Sequence, residues 1–206
     1  MVNTIKPMDI ERRSMEIIES ELTVELAPDV KPIVKRVIHA TADFSFAESL
    51  HFTPGVVDYI HGLLRAGAAI VTDTNMALSG ISKPATGKLG CQVQCLMADP
   101  AIAAEAKARE VTRALVSMEH ALRIPGPKLL VCGNAPTFLL PLFDGPIPAD
   151  TAVIGVPVGF VNVVEAKDML WQSGIPCITA LGRRGGSNVA AAIVNALLYG
   201  MEGVRA

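Results

Sequence analysis

Three times in its second half, this chain passes from a short apolar stretch through a glycine-containing turn into a segment with helical periodicity. The apolar stretches are residues 129–132, 152–154 and 178–181. Short apolar, β-rich runs that alternate with helical patterns predict βαβ units and a buried parallel sheet. Because all strands of such a sheet end at one edge, where ligands bind, the three turns predict the position of the functional site.

The composition favours one globular domain that spans residues 1–206. Half of the residues are hydrophobic and 18% are charged, which excludes a disordered chain. A formal charge of −2 provides no general attraction to nucleic acid or to an anionic membrane, so we expect neither partner. The first residues lack the apolar region of a signal peptide, and residues 189–198 span only about half a membrane. We therefore expect a soluble, cytoplasmic protein.

The remaining patterns predict helices at the amino end and further strands. A first helix begins at a cap residue, Asp9, and has Ile10, Ile17, Ile18 and Leu22 on its apolar face. The other predicted segments are a second helix that ends near His39, a third helix from the cap Thr53 to Gly67, strands at 68–72 and 91–97, and one long alanine-rich helix at about 100–122.

The cysteines and the missing motifs exclude several kinds of chemistry. Cys91, Cys95, Cys132 and Cys177 form no Cys-x-x-Cys pair, and we expect buried free thiols, with a metal or redox role for Cys91 and Cys95 as the alternative. Residues 80–88 resemble a phosphate loop, but the glycine spacing is wrong. No dinucleotide fingerprint, His-Glu-x-x-His zinc motif or Gly-x-Ser-x-Gly elbow occurs. The usual sequence signs of a nucleotide cofactor are therefore absent, and we expect no metal site.

The turn at 182–188, Gly-Arg-Arg-Gly-Gly-Ser-Asn, is the strongest local signal for ligand binding. Its glycines let the backbone approach a ligand, and the following helix offers N–H groups and a positive dipole end to an anion. Arg183 and Arg184 can pair with carboxylates or phosphates in bidentate geometry. The alternative is an ordinary βα turn in which both arginines are solvated and Ser187 caps the helix.

Four other polar segments are candidates for chemistry. His39 follows a helix and precedes Thr41 and Asp43, which are placed to orient its ring, and a histidine suits proton transfer at neutral pH. The cluster around Thr74 comes at the end of a strand, and Lys83 lies on the loop after it. The sequence alone leaves open whether His39 is structural, whether the Thr74 cluster is only a capping turn, and whether Arg113 is a ligand clamp or a solvated helix residue.

The chain resembles the precorrin-8X methylmutases, the methyl-shifting isomerases of cobalamin biosynthesis, over nearly its whole length. The resemblance lies in six motifs, which are Ile10-Glu11-x-x-Ser14, Arg36-Val37-Ile38-His39, Thr72-Asp73-Thr74-x-Met76-Ala77, Gly133-Asn134-Ala135-Pro136-Thr137, Gly155-Val156-Pro157-Val158-Gly159-Phe160-Val161 and Leu181-Gly182-Arg183-x-Gly185-Gly186-Ser187. Segments 41–44 and 77–81 look more like the cobalt-precorrin-8 branch, whereas residues 162–164 depart from the family by being larger than usual.

The resemblance implies a three-layer, flavodoxin-like α/β fold with a mainly parallel sheet and a helical N-terminal extension. It also implies a homodimer and a reaction that needs no dissociable cofactor. The implied reaction moves a methyl group from C-11 to C-12 of a corrinoid, and any cobalt belongs to the substrate. The site residues that we predict are His39 as the catalytic group and, for substrate binding, Ser14, Thr74, Lys83, Arg113, Asn134, Arg183, Arg184 and Ser187. Two rivals are a non-catalytic corrinoid or anion carrier and an unrelated α/β enzyme with a phosphorylated or flavin ligand.

Overall fold

A computed structural model describes residues 6–204 of the chain. The helices are α1 (Pro7–Glu21), α2 (Lys31–Thr41), α3 (Phe46–Ser49), α4 (Val56–Arg65), α5 (Asn75–Gly80), α6 (Lys83–Lys88), α7 (Pro100–Ala108), α8 (Arg113–Leu122), α9 (Val163–Gln172) and α10 (Ser187–Tyr199). The strands are β1 (Leu50–Phe52), β2 (Ala69–Thr72), β3 (Gln92–Cys95), β4 (Lys128–Cys132), β5 (Thr151–Gly155) and β6 (Cys177–Ala180). Short 3₁₀ turns cover Leu96–Ala98, Pro136–Phe138 and Leu140–Phe143. The last two stand between β4 and β5, where the sequence pattern wrongly predicts a helix.

Within residues 6–204, the six strands form one sheet in the order β1-β6-β5-β4-β2-β3. Every neighbouring pair is parallel except β1 and β6, which are antiparallel. Consecutive residues of a strand face opposite sides, and on β4 Leu129 and Val131 pack with α2, α4 and α10. Leu130 and Cys132 face the other layer, with α8 and α9. The predicted α/β fold with three layers and a mainly parallel sheet is confirmed.

Burial of the central strands is the main source of stability that positions the site. All five residues of β4 and all five of β5 are buried. Each large aliphatic side chain buried in this way contributes about 1.5–3 kcal/mol relative to exposure. The turns that follow these strands therefore start from a rigid base.

The structure corrects several predicted boundaries at the amino end. Lys6, not Asp9, is the cap residue of α1, and Asp9 lies in its first turn. Ile10 and Ile17 are 51% and 46% exposed, so the predicted apolar face is only partly buried. Gly55 caps α4, whereas Thr53 bonds through its hydroxyl to the backbone N–H of Cys177, 2.9 Å away, and so extends the pairing of β1 with β6.

The predicted long helix at 100–122 is two helices, α7 and α8. Glu110 has a φ of 55°, a left-handed conformation that a continuous helix excludes. Thr112 then caps α8, and its hydroxyl accepts a hydrogen bond from the backbone N–H of Leu115 at 3.2 Å. The second predicted strand is also shorter than expected, since β3 covers only Gln92–Cys95.

All four cysteines are free thiols, and Cys91, Cys132 and Cys177 are buried as predicted, whereas Cys95 is only half-buried. Among residues 6–204, no group of three or more His, Cys, Asp and Glu side chains is arranged to hold a metal ion. None of the helices in this range is long and apolar enough to cross a membrane.

Candidate active site

The turns after β2, β4, β5 and β6 lie at one edge of the sheet, as the sequence predicts. We call this edge the strand-end face and define it by residues 73–76, 133–137, 156–162 and 181–187. The turn at 156–162 is called the β5 turn and the turn at 181–186 the β6 turn. These backbone segments come from four non-consecutive parts of the chain, and several buried polar groups hold them together.

Asp73 organises the turn after β4. Its side chain is fully buried at the end of β2. The carboxylate accepts backbone N–H bonds from Gly133, Asn134 and Ala135 at 2.9, 2.7 and 2.7 Å. Burial raises the pKa of Asp73, and these hydrogen bonds lower it in part. Asp73 is therefore a structural anchor beneath the strand-end face.

The amino end of α10 packs directly against the turns after β2 and β4. The hydroxyls of Thr74 and Ser187 are 2.8 Å apart, so each of these predicted substrate-binding groups already has a protein partner. A Cβ at Gly133 would lie 2.7 Å from the Cα of Ser187, which only a glycine avoids. Gly186, not Ser187, is the cap residue of α10.

The β5 and β6 turns are bonded along their length. Gly159 donates its backbone N–H to the carbonyl of Arg183 at 3.2 Å, and Gly186 donates to the carbonyl of Val156 at 2.9 Å. Gly185 has a φ of 159°, and a Cβ there would lie 2.1 Å from the Val156 carbonyl oxygen. The two turns form one unit, and the N–H of Gly186 is used inside it.

The two arginines of the β6 turn have different surroundings. The guanidinium of Arg183 lies 5.4 Å from the centre of the Phe160 ring, in a cation–π arrangement. Arg184 instead donates to the carboxylate of Asp43 and to the hydroxyl of Ser45. Hydrogen bonds from Ser45, together with the charge of Arg184, lower the pKa of Asp43. Arg184 thus joins the segment after α2 to the strand-end face.

His39 lies in the last turn of α2 and is exposed. The expected orienting groups have other partners, because Thr41 donates to the carbonyl of Val37 at 2.8 Å and Asp43 is bonded to Arg184. Extensive packing of α2 on α10, together with the Asp43–Arg184 pair, connects the end of α2 to the β6 turn. The imidazole is therefore presented from a fixed helix end.

The other predicted residues divide into two groups. Asn134 is exposed on the strand-end face. Arg113 donates to the carbonyl of Met97 after β3 at 3.4 Å, and its neighbour Thr112 bonds through its hydroxyl to that of Thr137 at 2.9 Å. Ser14 donates to the Ile10 carbonyl within α1, and Lys83 is exposed at the start of α6. Across residues 6–204, no described hydrogen bond or ion pair joins Ser14 or Lys83 to the strand-end turns.

Sequence reasoning missed the apolar part of this face. Met76, Phe160 and Val161 are 72%, 82% and 76% exposed, and Val158 is 44% exposed. Large apolar side chains grouped on a surface mark binding sites. The signal in the sequence was an apolar residue beside glycine in a predicted βα turn, where a polar residue is usual.

A groove of about 670 Å³ lies between α1 and α2, away from the strand ends. It is lined by Met15, the neighbour of Ser14, and by Arg36, one helical turn before His39. Its size is typical of ligand sites, but most of its lining is charged and belongs to two helices. The strand-end face contains more of the predicted residues, and we regard it as the better candidate.

The sequence and the fold both match known proteins. The sequence model of the family "Precorrin-8X methylmutase" matches residues 9–200. A cobalt-precorrin-8 methylmutase of Salmonella typhimurium is 42% identical, with 94% of this chain and 95% of that protein covered. A precorrin-8X methylmutase of Pseudomonas aeruginosa is 37% identical, with 91% and 93% covered. The crystal structure of a Thermus thermophilus precorrin-8x methyl mutase has a TM-score of 0.84 and 37% identity, with 93% and 95% covered.

Proposed function

Because this chain belongs to the precorrin-8X methylmutase family and is an isomerase of cobalamin biosynthesis, we propose that the strand-end face carries out its reaction. In that reaction a methyl group moves from C-11 to C-12 of a corrinoid substrate. Such a shift needs no nucleophile. It needs a rigid apolar surface for a large ring, cationic anchors for acetate and propionate side chains, and a proton donor or acceptor.

The observation that carries the proposal is the exposed apolar group beside Arg183. Phe160 and Val161 offer exposed apolar surface on which a tetrapyrrole can lie, and the guanidinium of Arg183 is 5.4 Å from the centre of the Phe160 ring. A macrocycle that covers Phe160 places its acidic substituents within reach of that charge. A flat apolar ligand with carboxylates at its rim fits this arrangement better than a nucleotide does.

Carboxylates are held by Arg183 and by the first-turn N–H groups of α10, residues 187–189. Both are stable anchors, because the β6 turn is bonded to the β5 turn and Ser187 is bonded to Thr74. Anions at a helix amino end are favoured by the free N–H groups and by the helix dipole. Arg184 and Asn134 complete the polar border, with Arg184 also holding Asp43 in place.

His39 moves the proton that accompanies the methyl shift. Its ring is exposed and so is accessible to substrate, and the helix that carries it packs closely on α10. Histidine is the side chain best suited to donate and accept protons near neutral pH. Ser14 on α1, Lys83 on α6 and Arg113 on α8 stay predicted substrate contacts, and no described bond joins Ser14 or Lys83 to the strand-end turns.

The substrate that we propose is cobalt-precorrin-8, since relatives that carry this name include the Salmonella protein at 42% identity. Cobalt then arrives within the substrate, and the protein holds no metal or cofactor of its own. We place the enzyme in the cytoplasm as a homodimer, with the site near the subunit interface.

Visible spectroscopy with two substrates tests the function. The purified protein is mixed, without oxygen, with cobalt-precorrin-8 or with metal-free precorrin-8X, and the product is examined by mass and by NMR. We expect a new chromophore of unchanged mass with its methyl group at C-12, formed faster from the cobalt substrate. A shifted but stable spectrum would indicate a carrier instead, and an unchanged spectrum would exclude corrinoid binding.

The His39→Asn variant separates catalysis from binding in the same assay. We expect it to bind the substrate and to lose about 10²–10⁴-fold in turnover, the usual contribution of general acid–base catalysis. His51→Asn is the matched control, because His51 lies on β1 and stacks on Trp171. Near-normal turnover by His39→Asn would remove this residue from the mechanism.

A further inference from the structure

Lys167 is a fully buried lysine next to the strand-end face. It lies on α9 and is 0% exposed. Its ammonium donates to the carbonyl of Pro157 in the β5 turn at 3.0 Å and to the carbonyl of Arg184 in the β6 turn at 2.9 Å. One side chain therefore bridges the two turns that carry Phe160, Arg183 and Arg184.

This placement is costly, which indicates a purpose beyond packing. Lys167 occupies the apolar side of α9, where the neighbouring inward positions are Val163, Ala166 and Leu170. An ammonium group loses most of its hydration there, and burial lowers the pKa of Lys167 to about 8. An apolar side chain of similar length would avoid that cost but would leave both carbonyls without this donor.

The backbone bonds between the turns do not replace the lysine. They join Gly159 to Arg183 and Gly186 to Val156, at either end of the contact. Lys167 binds the carbonyls of Pro157 and Arg184 from below, where the two turns meet the helix. Without Lys167, no hydrogen bond among these residues would join the two turns between the two backbone bonds.

We propose that Lys167 is a positioning residue, which fixes the β5 and β6 turns against each other and so sets the place of Arg183 relative to Phe160. The role in substrate binding rests on the proposed function of the strand-end face. Lys167 touches no substrate atom. Its effect reaches the substrate through the backbone of the two turns.

Substitution of Lys167 by methionine removes the bridge and keeps the side-chain length. We expect the KM for the corrinoid to rise about tenfold or more, because anchoring is lost equally in ground state and transition state, with kcat changed less than about threefold. His39 is on α2 and makes no bond to Lys167 in the described chain, so the chemical step is retained. Lys167→Gln, which keeps a donor, serves as a second variant and should give an intermediate KM.

The rate of native-state cleavage by trypsin after Arg183 and Arg184 tests, without any substrate, how firmly Lys167 holds the two turns together. We expect cleavage at these bonds to become about tenfold faster in Lys167→Met, because the population of opened turns increases. Leu170→Ala is the matched control. It removes a buried side chain one turn further along α9, and it should lower the melting temperature without changing KM or the cleavage rate at these two bonds.

The two measurements separate the possible failures. Wild-type KM and wild-type cleavage in both Lys167 variants would overturn the proposal, as would equal changes in Leu170→Ala. If the wild-type protein converts no corrinoid, the proposed function fails, and the cleavage rates alone still decide whether Lys167 holds the turns.

Discussion

Replacement of Asp73 by asparagine tests how the strand-end face is held together. Asparagine has nearly the same shape, but one of its two terminal atoms is an NH₂ donor. Suppose that the amide oxygen of the new asparagine still accepts the N–H bonds of Asn134 and Ala135. Its NH₂ group then faces the N–H of Gly133, whose nitrogen in the wild type is 2.9 Å from a carboxylate oxygen of Asp73. One buried donor then loses its acceptor, and the other two exchange an ionic acceptor for a neutral one.

The size of the effect follows from these bonds. Loss of one charge-assisted hydrogen bond costs about 1.5–3 kcal/mol, and weakening of two others costs about 1 kcal/mol each. Removal of a buried charge offsets part of this, because burial of Asp73 is itself unfavourable, as its raised pKa shows. We expect a net loss of about 2–4 kcal/mol in the free energy of unfolding, or roughly 5–15 °C in melting temperature for a chain of this size.

Urea unfolding and thermal unfolding, both followed by circular dichroism, measure this loss. Asp144→Asn, at an exposed position, is the control and should stay within about 0.5 kcal/mol of wild type. An Asp73→Asn protein that is also within about 0.5 kcal/mol of wild type would refute the argument that the carboxylate organises the turn after β4.

Three further predictions concern the anion anchor, the subunits and pH. Arg183→Ala should weaken binding of a non-reacting corrinoid product about 10–100-fold in isothermal titration, with an unchanged melting temperature; unchanged affinity would exclude the anchor. If His39 and Arg113 reach one site from different subunits, inactive His39→Asn and Arg113→Ala proteins that are refolded together should recover about a quarter of wild-type activity. A monomer in sedimentation would exclude a shared site. The folded pKa of Lys167, about 8, is below its unfolded value of 10.5, so the unfolded state binds more protons between these two pH values. The free energy of unfolding of the wild type should therefore rise relative to that of Lys167→Met, by an amount on the order of 3 kcal/mol from pH 8 to 10.5. Equal pH dependence of the two proteins in urea unfolding would contradict the burial of a charged lysine.

The sequence predicted the elements that local pattern determines. Strands β4, β5 and β6 and the helices after β5 and β6 are where apolar runs and glycines indicate them. The helix predicted after β4 was wrong, because only short 3₁₀ turns follow that strand. Strand β1 was missed because it has only three residues and depends on pairing with β6, more than a hundred positions away. The break between α7 and α8 was missed because alanine-rich sequence favours a helix on both sides of Glu110.

For the candidate site, the sequence by itself determined which turns lie together and which residue types they contain. A parallel sheet brings its strand ends to one edge, so the motifs at 133–137, 155–161 and 181–187 had to meet. Only the tertiary structure decided the partner of each polar group. Arg184 pairs with Asp43, Thr74 with Ser187, and Lys167 with two carbonyls. Such contacts depend on the distance and direction between atoms far apart in the chain, and periodicity and composition carry no information about either.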